Sequence, residues 1–127
     1  MSDIIITSQE IAQFRSQLAE YPAALEALDA IEDCEGDLED AAISMAIHVG
    51  QSPTTSENWL DGLAKRYRVT LCDETYREDL LQGNIAPMVA HLMKLNQCPE
   101  LLVTPVVIYV VKTGVQPFCE PLEYKKM

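Results

Sequence analysis

Positive charge is scarce in this chain of 127 residues: 9 lysines and arginines stand against 20 aspartates and glutamates, for a net charge of −11. An excess of that sign repels phosphate backbones and anionic headgroups, so nucleic acid and membrane surfaces are not expected partners. Glycine is also sparse, at 5 residues, and no Gly-rich phosphate loop, nucleophile elbow or His-Glu zinc motif occurs. The 4 cysteines, Cys34, Cys72, Cys98 and Cys119, include no Cys-x-x-Cys pair and show no framework spacing. They are read as reduced, buried thiols with no contribution to stability from a disulfide. Long apolar runs are missing too. The run at residues 101–111 is interrupted by Thr104 and Pro105 and is much shorter than the ~20 residues that a bilayer requires. The short Ile4-Ile5-Ile6 run lacks the basic flank and length of a secretion signal, so a cytoplasmic location is expected.

What is present is ordinary globular material, 48% hydrophobic and 23% charged, of a length that suits one domain. Its acidic excess is concentrated: residues 1–40 carry 11 acids and only Arg15 as a base, whereas the remaining residues are nearly balanced.

The pattern predicts an all-α compact bundle of about six helices, in a single domain over residues 1–127 with an irregular tail from about residue 115. Thr7 and Glu10 form a capping-box signature, followed by Ile11, Phe14, Leu18 and Tyr21 at helical spacing. Pro22 opens a second helix with Leu25, Leu28 and Ile31 on one side and Gly36 beyond its end. Asp37 caps a third, apolar on nearly every side, which is read as the most buried helix of the bundle. Thr54 with Glu57 offers a cap for a helix through Trp59, Leu60 and Leu63. Asp73 and Asn84 offer caps for two more, the second running through Met88 and Leu92.

Local rules conflict at residues 105–112. Val106, Val107, Ile108, Tyr109, Val110 and Val111 have the composition of a buried strand. The punctuation favours a helix, with Thr104 as cap, Pro105 in the first position, Lys112 in the last turn and Gly114 past the end. The helix is preferred, and a small α+β variant with 105–112 as a strand is the alternative. A run so apolar needs covering on all sides, by the bundle or by a second copy, and a homodimer is therefore expected.

Few constellations could carry chemistry. Asp40, Ser44 and His48 lie at four-residue steps on one helical face, but serine separates the other two, the wrong order for a hydrolase relay. The acidic run from Asp33 misses an EF-hand, since its sixth and twelfth positions are Leu38 and Ser44. Glu32 and Glu35, with Asp37 and Asp40, resemble a magnesium site of a nucleotide pyrophosphohydrolase, but the second pair such chemistry needs is missing downstream, and Glu26 with Asp29 has the right form but comes too early. Lys65, Arg66 and Arg68 make too small a basic cluster for nucleic acid. The expected function is thus a noncatalytic interaction or adaptor module that needs no cofactor. Its acidic helical hairpin, carrying Glu26, Asp29, Glu32 and Asp33, would contact a basic protein surface. A metal-dependent hydrolase using Glu32, Glu35, Asp37 and Asp40 is the competing expectation.

Overall fold

A computed structural model describes residues 4–53 and 59–125. Nine helices occur among them: α1 (Ser8–Gln17), α2 (Pro22–Asp33), α3 (Leu38–His48), α4 (Trp59–Arg66), α5 (Arg68–Leu71), α6 (Glu74–Leu81), α7 (Ala86–Leu95), α8 (Glu100–Thr113) and α9 (Val115–Lys125). The all-α expectation holds. Beyond the six capped segments and the helix preferred at 105–112, which becomes part of α8, Arg68 to Leu71 forms one helical turn and residues from 115 onward, expected to be irregular, form α9.

Several starts follow local chemistry. At α1 the Thr7 hydroxyl accepts from the Glu10 amide while the Glu10 carboxylate accepts from the Thr7 amide, the reciprocal capping box. Asp37 accepts from the Asp40 amide at α3, and Asp73 from the Thr75 amide at α6. The cap expected from Thr54 and Glu57 lies outside the described residues. Asn84 does not cap α7; Ile85 occupies that position, and its amide donates to the side chain of Gln17 at 2.8 Å.

The centre of the bundle is α8, not α3. From Leu101 to Ile108 every side chain of α8 is buried, and the helix packs against α2, α3, α4, α7 and α9. On α3, by contrast, Ser44 and His48 face solvent and Ile47 is 63% exposed. Hydropathy marks both helices as apolar, but only packing determines which is enclosed. The run at 101–111 is thus covered within one chain, so the observation that motivated a homodimer does not require a second copy.

The β-branched composition of α8 yields to burial. Valine and isoleucine cost a helix at most about 0.7 kcal/mol each relative to alanine, whereas fully burying such a side chain is worth about 1.5–3 kcal/mol. The same comparison explains a misplaced boundary. Thr104 and Pro105 do not start α8, which begins at Glu100 after Pro99 and carries Pro105 inside it. An internal proline costs about 3 kcal/mol. Continuing the helix back through Leu101, Leu102 and Val103 buries three more apolar side chains, which together outweigh that cost.

At the other end of the chain, the segment before α1 pairs with the turn between α2 and α3. Ile5 and Asp37 form an isolated antiparallel bridge, with the Ile6 amide donating to the Gly36 carbonyl at 2.8 Å and the Leu38 amide to the Ile4 carbonyl at 3.0 Å. Gly36 has φ +85°, and a Cβ there would collide with the Ile6 carbonyl oxygen, so only glycine permits this approach.

Cysteine pairing departs from expectation. Cys72, the residue capping the end of α5, is disulfide-bonded to Cys119 in α9, while Cys34 and Cys98 are free thiols. The partners are 47 positions apart in the chain. A pairing at that range is set by how α5 and α9 meet in space, so sequence spacing carries no trace of it.

Candidate acidic interaction surface

The amphipathic pattern of α2 places Ala24, Ala27, Leu28 and Ile31 in the core and leaves Glu26, Asp29, Glu32 and Asp33 exposed on the outer side. All four hairpin residues singled out from the sequence therefore share one solvent-facing surface. They are not equivalent, because α1 delivers Arg15 to part of it. Arg15 Nη2 lies 2.7 Å from Asp29 Oδ1 and 2.8 Å from Glu32 Oε1, bridging the two carboxylates across the hairpin. The hydrogen bond to Asp29, followed by that to Glu32, raises the Arg15 pKa from an already high value, so its charge is permanent.

Glu26 and Asp33 receive no ion pair among the described residues, and exposed Glu35 follows at the end of α2 with φ 57°. The nearest cluster of bases in the sequence, Lys65, Arg66 and Arg68, forms no ion pair with this stripe among the described residues. Lys65 instead pairs with Asp61 one turn earlier, at 2.7 Å, and the Arg68 guanidinium lies over the Phe118 ring. The cation that does reach the α2 stripe is Arg15, the lone base of the first 40 residues, a contact legible only once α1 and α2 are packed together, while Lys112 of α8 pairs with Glu10 on α1 at 2.8 Å.

The carboxylates of the competing metal reading are engaged elsewhere or exposed to solvent. Asp37 is engaged as the cap of α3, Glu32 is held by Arg15, and Glu35 and Asp40 are exposed. No group of three or more His, Cys, Asp or Glu side chains among the described residues converges as a metal-ligand set. His91 stacks on Tyr76 with ring centroids 4.8 Å apart, and His48 lies exposed on α3.

Nearby, burial followed by the charges of Asp40, Asp37 and Asp33 pushes the Cys34 thiol above its ordinary pKa. Burial likewise pushes the Cys98 thiol up to about 11. Both thiols are held protonated near neutrality, the opposite of what a nucleophilic cysteine needs.

Sequence reasoning missed two half-buried carboxylates with structural work. Glu39 accepts from the Leu60 amide at 3.0 Å and so serves the start of α4 from a neighbouring helix. Burial is the largest influence on it and raises its pKa. Asp61 accepts from the Tyr109 hydroxyl at 2.6 Å, tying α4 to the central helix, as well as pairing with Lys65. Burial acts to raise its pKa but is outweighed by the hydrogen bonds from Lys65 and Tyr109 and by the charges of Lys65 and Arg68, so the net shift is downward. No sequence signal marks the contacts to Leu60 and Tyr109, since each joins separate helices; only the Asp61–Lys65 pair, four residues apart within α4, has a spacing that sequence shows.

The fold and this surface together define an acidic all-α domain. No family model matches the chain, and no curated protein or solved structure is significantly similar to it.

Proposed function

We propose that this chain is a noncatalytic helical interaction module whose α1–α2 hairpin presents an acidic surface to a basic protein partner. One observation carries the reading. Arg15 compensates only Asp29 and Glu32, while Glu26 and Asp33 stay exposed with no ion pair among the described residues. Like charges recurring at helical spacing cost an isolated helix about 0.2–0.5 kcal/mol per neighbouring pair, so Glu26 and Asp33, outside the Arg15 bridge, bring the fold no stability. A cationic partner surface would relieve that repulsion and would be drawn in at long range.

The arrangement directs the experiment. Glu26→Gln combined with Asp33→Asn removes two charges and leaves the Arg15 bridge intact, so folding should be unchanged. The tagged chain, used at low salt to capture partners from its native cell extract, should retain a defined basic protein. Recovery should fall steeply with added salt and fall again in the double variant. Equal recovery by wild type and a folded double variant would remove the hairpin as the contact surface.

A further inference from the structure

We propose that the Cys72–Cys119 disulfide is a reducible clasp: a dithiol reductant opens it and releases α9 from a bundle that otherwise remains folded. The disulfide joins α9 to the end of α5, and the linked residues enclose α6, α7 and α8 between them in the chain. Besides this bond, α9 packs against α5, α6 and α8; of its described side chains, residues 115–122, Val115, Phe118 and Cys119 are buried and Leu122 is half-buried, against nine buried on α8. Pro121 lies inside α9 and takes away one of its internal hydrogen bonds. Phe118 rests under the Arg68 guanidinium, whose carbon is 4.9 Å from the ring centroid, and the buried Arg68 Nε has no hydrogen-bond partner among the described residues.

A hinge is already in place. Gly114, with φ +110°, separates α8 from α9, and the two helices meet there at a bend of 96°. Rotation at this one residue would carry α9 away while leaving α8 enclosed by α2, α3, α4 and α7. The two remaining cysteines persist as protonated thiols, so the clasp is the one cysteine pair available to a thiol reductant.

The chemistry is ordinary thiol–disulfide exchange. A thiolate of the external dithiol attacks Cys72, which is buried but retains 8% exposure where Cys119 has none, when local opening at α9 uncovers its sulfur. A bond forms between the attacking sulfur and the Cys72 sulfur, the Cys72–Cys119 bond breaks, and Cys119 leaves as a thiolate that takes up a proton. The second thiol of the reductant then displaces Cys72. Two electrons pass to the protein, two cysteine thiols result, and the reductant ends as its own disulfide.

Hydrogen exchange read by mass spectrometry, on the full chain before and after treatment with dithiothreitol, tests the clasp. Thiol alkylation in denaturant, of protein prepared without reductant, should count two free thiols, and four after treatment. On reduction, amides of α9 should exchange roughly tenfold faster or more, while those of α2, α3 and α8 keep their protection. Reoxidation should restore α9. Four thiols before treatment would overturn the proposal, as would α9 protection that is unchanged on reduction. Loss of protection throughout the bundle would also overturn it, by making the bond a staple of the whole fold. Cys72→Ser with Cys119→Ser should reproduce the reduced pattern; if that variant does not fold, reduced wild type decides the matter alone.

Discussion

Replacing Gly36 with alanine isolates the contact that anchors the N-terminal segment. Two terms oppose the new methyl group. An L-residue held at positive φ costs about 1–2 kcal/mol, and Gly36 has φ +85°. The added Cβ would also collide with the Ile6 carbonyl oxygen, a backbone atom that cannot rotate aside. Forcing an extra carbon into a packed site costs about 1–3 kcal/mol, and relieving the collision by shifting Ile6 would sacrifice its hydrogen bond to Gly36, worth about 1 kcal/mol. The sum is a loss of about 2–5 kcal/mol. Gly50 supplies the control. Its φ of +82° is nearly the same, yet nothing lies within 4 Å of a Cβ built there. Gly50→Ala should therefore show the backbone term alone, about 1–2 kcal/mol. Urea denaturation of the three proteins, with slopes compared to confirm a common unfolded state, measures both differences. If Gly36→Ala were no more destabilising than Gly50→Ala, the segment carrying Ile5 and Ile6 would not be held against the α2–α3 turn, and the clamp would be wrong.

Leu102 is fully buried on the central helix, so Leu102→Ala should cost about 3–5 kcal/mol by urea denaturation; a loss below about 1 kcal/mol would contradict the central place of α8. Thr104 is equally enclosed and its hydroxyl has no hydrogen-bond partner among the described residues, so Thr104→Val should be neutral or raise stability by about 1 kcal/mol, with a clear loss as the contrary result. Asp61 has a lowered pKa in the folded state, so its contribution is complete above the unfolded value near 3.8 and disappears as pH falls through the folded value. The gap in melting temperature between wild type and Asp61→Asn should accordingly hold steady at neutral pH and shrink as pH is lowered through the unfolded value and below it, and a gap that stays constant into acid would refute the assignment. Raised by burial, Glu39 has the opposite sign: its contribution is fully present below its unfolded value and is lost as pH rises through the folded one. Glu39→Gln should therefore lose less stability relative to wild type above that transition than below it, as thermal melts across the range would reveal.

The sequence by itself determined what depends on neighbours a few residues apart. The capping box of Thr7 and Glu10, the caps at Asp37 and Asp73, Pro22 at the start of α2 and the inward faces of α1 and α2 are all local, and they suffice for an all-α fold. The exposed acidic side of α2 was legible for the same reason, since helical periodicity alone separates Glu26 and Asp33 from Leu28 and Ile31. Tertiary structure decided whatever compares one distant segment with another. Burial from many sides made α8 the centre, carried it through Pro105 and overrode its strand-like composition, because the apolar area removed from water exceeds the local costs of proline and β-branching. Packing also placed Arg15 between Asp29 and Glu32, turned Glu39 and Asp61 towards neighbouring helices, and brought Cys72 to Cys119. Each of these contacts joins residues that share no periodicity and no short spacing, so their energies exist only once the helices have met.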